Sequence, residues 1–152
     1  MMKQKTSKRL QTVLKLAQLK EQRAAEKLAE RIRELASHQQ QAQQLSTYQQ
    51  EYSQQFKYVG AEGEEGAGVS AAQLANYQRF YGSLEAAGNT QREQVELASQ
   101  QQEQARGLWQ QQYARQKNMQ KLVAAKQQEE EKELEDKLQR EQDDRRSLVR
   151  RD

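Results

Sequence analysis

An all-α fold is what this sequence predicts: a long antiparallel two-helix coiled-coil hairpin with a C-terminal helical overhang. Three observations lead there. The first is composition. Of 152 residues, 34% are hydrophobic and 31% charged, with no Pro and no Cys. That cannot fill a compact core of this length, yet the commonest residues are strong helix formers. Long helices joined by a narrow seam satisfy both constraints better than disorder does. The second is a single break. Four of the seven glycines fall at Gly60, Gly63, Gly66 and Gly68, and each disfavours a helix interior by about 1 kcal/mol relative to Ala. The third is an apolar period of three and four residues on both sides of that break.

The whole chain, 1–152, reads as one hairpin: helix one over 7–58, a Gly-rich turn over 59–70 and helix two over 71–148. Thr6 or Ser7 can cap helix one. Its apolar stripe includes Leu10, Leu14, Ala17, Leu28, Ile32, Leu35, Ala42, Leu45, Tyr48, Tyr52 and Phe56. Ser70 and Gln73 form a capping box at the start of helix two, and Val69 with Leu74 fits a hydrophobic staple. Alternate steps of three and four from Leu74 pass through Tyr77, Tyr81, Leu84, Val95, Ala98, Ala105, Trp109, Met119 and Val123, with Gly88 and several Gln between and Lys126 at the end. This is a weak coiled-coil seam.

Antiparallel pairing brings residues whose numbers add to about 130 side by side, so Tyr52 meets Tyr77 and Leu10 meets Met119. Helix one then runs out near residue 122, leaving 124–152 as a charged overhang. Glu133–Lys137, Asp136–Arg140 and Glu141–Arg145 have the spacing and order of favourable i,i+4 ion pairs, each contributing a few tenths of a kcal/mol. Such a helix frays alone and orders against a partner.

No catalytic constellation is present. The one histidine, His38, sits among glutamines and reads as a polar helix-surface residue. No metal-ligand set, phosphate-binding loop or cofactor motif occurs, and the glycine-rich loop carries Glu62, Glu64 and Glu65, which repel phosphate. Lack of Cys removes disulfides and thiolate sites. No stretch approaches the 18 apolar residues of a membrane span, no apolar signal region follows the N-terminus, and a net charge of +3 is too small to argue for nucleic acid.

Two features remain for function. Tyr48, Tyr52, Phe56, Tyr58, Tyr77, Phe80 and Tyr81 cluster near the turn. Tyr52, Phe56, Tyr77 and Tyr81 suit the seam, while Tyr48 and Phe80 suit either packing or a solvent-facing docking patch. At the open end, Lys3, Lys5, Lys8, Arg9, Lys15 and Lys20 are joined by Arg145, Arg146, Arg150 and Arg151. A basic tip can meet an acidic protein ring, an anionic membrane or nucleic acid, or simply be solvated.

Tyr48-Gln-Gln-Glu-Tyr52 before the turn, with Asn76-Tyr77-Gln78-Arg79-Phe80 and Leu84-Glu85-Ala86-Ala87 after it, resembles the FliJ family of the bacterial flagellar type III export apparatus. The specific motifs lie within 41–91; length, layout and charged extension agree over nearly the whole chain. The resemblance implies a non-enzymatic coiled-coil stalk, similar to the gamma subunit of rotary ATPases, in the pore of the hexameric export ATPase. It implies promotion of ring assembly and activity, a link to the export gate FlhA, and binding of escort chaperones. The place implied is the cytoplasm, peripheral to the inner membrane at the flagellar base. The family's gate-binding surface maps onto Gln41, Leu45, Tyr48 and Tyr52 and onto Phe80, Leu84, Ala87 and Gln91. Both sets are spaced four, three, four, and pairing them gives a constant sum of 132, which sets the two stripes side by side. The open end, about 5–35 and 110–148, is then the ATPase end. The rival readings are the equivalent stalk of a virulence-type secretion system, a nucleic-acid-binding coiled coil and a structural tether.

Overall fold

The structure, a computed structural model, describes residues 6–63 and 70–151, with side chains over 6–57 and 70–150. Two helices, α1 (Thr6–Gly63) and α2 (Ala71–Arg151), account for nearly all of it, and they pack against each other as a two-helix hairpin. There is no strand among the described residues.

α1 extends to Gly63, beyond the expected end at residue 58. Gly60 and Gly63 weaken a helix without forbidding it, and Ala61 and Glu62 between them are good helix formers. The rest of the expected turn, 64–69, lies outside the described residues, as does the Val69 half of the staple. α2 opens on the capping box. Ser70 Oγ accepts from the Gln73 N–H at 3.2 Å, and the Ser70 N–H donates to Gln73 Oε1 at 3.0 Å. Two of the free donors that every helix start leaves are thereby satisfied.

Covered positions recur at three and four residues along both helices. On α2 they run from Tyr77 to Glu130 and include every expected seam residue except Leu74, which is exposed. On α1 they run from Ser7 to Phe56, but Arg31 and Gln49 take the places expected for Ile32 and Tyr48. Those two side chains are exposed, at 44% and 58%. Covered steps alternate strictly, three then four from Leu28 through Arg31 to Leu35, and four then three from Leu45 through Gln49 to Tyr52. A side chain off that phase stays outside however apolar it is.

By contacts the chain divides into two compact units. One is Lys27–Arg106; the other is Met1–Glu26 with Gly107–Asp152. In the first, Phe56 stacks on Tyr77 with ring centroids 3.5 Å apart, which sets a register in which paired residue numbers add to about 133. Ala98 and Ala105, at 4% and 6% exposure the most buried apolar residues of this unit, then fall opposite Leu35 and Leu28. Small against large lets two helices close tightly along their shared seam.

In the second unit, Val123 and Gln116 are buried, and Trp109 Nε1 donates to Glu21 Oε1 at 2.9 Å. At the start of α1, Ser7 does not cap its own helix. Its N–H and hydroxyl donate to the two carboxylate oxygens of Glu130, at 3.1 and 2.6 Å. A carboxylate from α2 thus satisfies an orphan donor of α1 and meets the positive end of its dipole. Pairing therefore reaches Glu130, and the overhang begins at residue 131 rather than 124. From Glu131 to Arg150 every side chain is exposed on a continuous helix.

None of the three ion pairs expected on the overhang is closed. Those formed among the described residues are Lys27–Glu30, Arg31–Glu34 and Lys126–Glu129, all i,i+3. Water solvates long exposed side chains nearly as well as a partner does, so spacing alone does not close a pair.

Gly107 lies mid-helix, and a Cβ placed there meets nothing within 4 Å. Gly107→Ala is expected to stabilise the protein by about 0.5–1 kcal/mol, through helix propensity and reduced freedom of the unfolded chain. Equilibrium urea unfolding checks this.

Candidate protein-binding site

The aromatic side chains of the first unit divide by face. Tyr77 is the hub. It stacks on Phe56, on Tyr52 at 5.1 Å and on Tyr81 one turn away at 5.9 Å. These four rings are half-buried and do the work of a core in a seam with no third layer. Tyr58 lies outside the described side chains. Phe80 meets the edge of Tyr52 at 4.6 Å but stays 48% exposed, and Tyr48 is 58% exposed.

Tyr48, Tyr52, Phe80 and Leu84 come together around an open groove of about 440 Å³, with Glu51 and Gln55 completing its lining. Tyr52 joins groove to seam, since the same ring carries Tyr77 and Phe80. Glu51 and Gln55 were not singled out from the sequence. Their spacing could have found them, because each follows an aromatic of the stripe by three residues. Such a groove suits an apolar or aromatic side chain from a partner, with one carboxylate and one amide to orient it.

The other residues of the two stripes stand differently. Leu45 is half-buried in the seam, and Gln41 and Ala87 are exposed outside the groove lining. Gln91 is half-buried, with its amide nitrogen donating to the His38 carbonyl and facing His38 Nδ1, both at 3.1 Å. His38 is accordingly not the surface residue that its glutamine neighbours suggest. It holds a seam position and links the two helices. Among the described residues, no cluster of His, Cys, Asp or Glu could hold a metal ion. Among the described residues no helix is long and apolar enough to cross a membrane.

The family model for the flagellar FliJ protein matches residues 6–150. The chain belongs to the FliJ family. The match takes in nearly all of α1 and α2, well beyond the motif-bearing 41–91. A FliJ-family chain is a non-catalytic component of the flagellar export apparatus. No curated protein matches the chain, and no solved structure does.

The two faces predict opposite responses to truncation. Tyr77→Ala removes a ring that touches three others and should cost about 2–4 kcal/mol of stability. Tyr48→Ala, on the exposed face, should change it by less than about 0.5 kcal/mol. Denaturant unfolding of the two variants measures both.

Proposed function

We propose that this chain is a stalk and coupling protein of flagellar export, joining the hexameric export ATPase to the cytoplasmic domain of the gate protein FlhA. On this reading it promotes assembly and activity of the ATPase ring, binds escort chaperones, and works in the cytoplasm, peripherally associated with the inner membrane. The observation that carries it is the pair of exposed aromatics, Tyr48 and Phe80, over the groove floored by Tyr52. The seam leaves them uncovered, and rigid aromatics beside a desolvatable hollow are what interface hot spots are made of.

The gate-binding residues on this reading are Gln41, Leu45, Tyr48, Tyr52, Phe80, Leu84, Ala87 and Gln91. Tyr48 and Phe80 act as anchors, Leu45 and Leu84 share their area between seam and partner, and Gln91 contributes through the atoms that His38 leaves available. The stretches 5–35 and 110–148 enter the ring. Many weak polar contacts suit a stalk that presents different faces to equivalent subunits, in keeping with the polar surface of α2.

Titration of the gate's cytoplasmic domain tests the anchors. Tyr48→Ala or Phe80→Ala should weaken binding by about 1–3 kcal/mol while stimulation of ATP hydrolysis by the hexamer persists. Unchanged affinity in both variants would remove the gate assignment. Failure of the wild-type chain to stimulate hydrolysis or shift the ATPase to hexamer would remove the stalk assignment.

A further inference from the structure

A second groove lies in the unit formed by the two chain-terminal segments. It measures about 370 Å³ and is lined by half-buried Ala17 and Met119 and exposed Val13, Leu16 and Leu122, with Lys20 and Arg115 also at its edge. Its rim is basic, and the nearest acids are engaged elsewhere, Glu21 by Trp109 and Glu130 by Ser7. Residues 6–20 and 112–122 hold seven basic side chains and no acidic one. The groove therefore calls for an apolar stripe flanked by acids.

The chain itself carries such a stripe. On the overhang, Leu134 and Leu138 are one turn apart, 52% and 51% exposed. Glu131, Glu135 and Glu141 sit three residues from one or the other on the same helical face, against the single Lys137. The overhang cannot fold back onto its own groove. α2 is helical throughout to Arg151, and no Gly or Pro occurs after Gly107 to provide a hinge.

We propose that the protein self-associates, the overhang of each copy docking as a third helix into the basic-rimmed groove of the other. A two-fold axis crossing α2 near Gln127 sets Leu134 of one copy beside Met119 of its mate, and brings Leu138 toward Arg115. Both grooves are then filled by the same contact, as an isologous dimer requires. Docking covers apolar side chains that nothing else in the chain covers. The acid-to-base match selects the antiparallel direction and speeds encounter at low salt.

Sedimentation velocity of the full chain over a dilution series tests this. The wild type should dimerise at low salt and weaken at about 0.5 M salt, where screening is strong. Leu134→Lys with Leu138→Lys should weaken pairing by at least about tenfold, with helicity by circular dichroism unchanged, because both residues lie beyond the last contact between the helices. Two charge reversals make the test independent of folding. Lys20→Glu with Arg115→Glu, and separately Glu131→Lys with Glu135→Lys, should each abolish self-pairing. An equimolar mixture of the two variants should pair again. A wild type that stays monomeric at low salt, or a mixture that fails to pair, would overturn the proposal. A monomer whose groove reversal instead weakened the export ATPase would overturn it too, and would assign the groove to that protein.

Discussion

Two helices share one seam, and whatever that seam leaves out has no third layer to bury it. The consequences run through the whole molecule. Among the described residues the buried apolar ones are three, Ala98, Ala105 and Val123, and no large side chain is fully enclosed. Large residues can share so narrow a space only where a small one stands opposite. That is why alanines mark its tightest points and why leucines such as Leu16, Leu108 and Leu122 remain exposed. The aromatic hub at Tyr77 is the widest burial available, and it lies where the sequence concentrates its rings.

A seam of this kind gives weak preference among registers, because glutamine, alanine and glycine fit almost anywhere. The polar contacts supply that preference. Glu130 on Ser7, Glu21 on Trp109, Arg31 on Gln101 and Gln91 on His38 tie the two helices at intervals. Among the described residues, no buried side-chain nitrogen or oxygen lacks a partner. A one-heptad slip would separate every one of these pairs, and a polar group left partly buried without its partner costs about 1–3 kcal/mol. Register in turn decides which aromatics the seam takes. In the observed one, Tyr52 goes in and Tyr48 and Phe80 stay out.

Much of this could be read in advance, and the exceptions have physical causes. The α2 seam followed from steps of three and four because its apolar residues admit only one phase. On α1, Leu28, Ala29, Ile32 and Leu35 admit two phases, one of which draws in Ile32, and a step of three from Leu45 draws in Tyr48. That some aromatics face outward was legible, since two helices cannot bury them all, but the pattern left Tyr48 and Phe80 open between packing and exposure. The tie between Gln91 and His38 was not, because it joins residues 53 positions apart, and nothing local to either signals the other. The clasp of Glu130 on Ser7, across 123 positions, is hidden for the same reason. It shifts the start of the overhang by a heptad.

The division of buried from exposed side chains rests on one register, and disulfide trapping measures it directly in a chain with no cysteine. Leu35→Cys combined with Ala98→Cys should cross-link efficiently on mild oxidation. Leu35→Cys combined with Ala105→Cys, one heptad away, should not, because two turns of helix put its sulfurs about 10 Å out of line, beyond disulfide reach. Comparable yields from the two pairs would mean that the helices slide. The division between buried and exposed aromatics, and the binding surface proposed on it, would then lack a fixed frame.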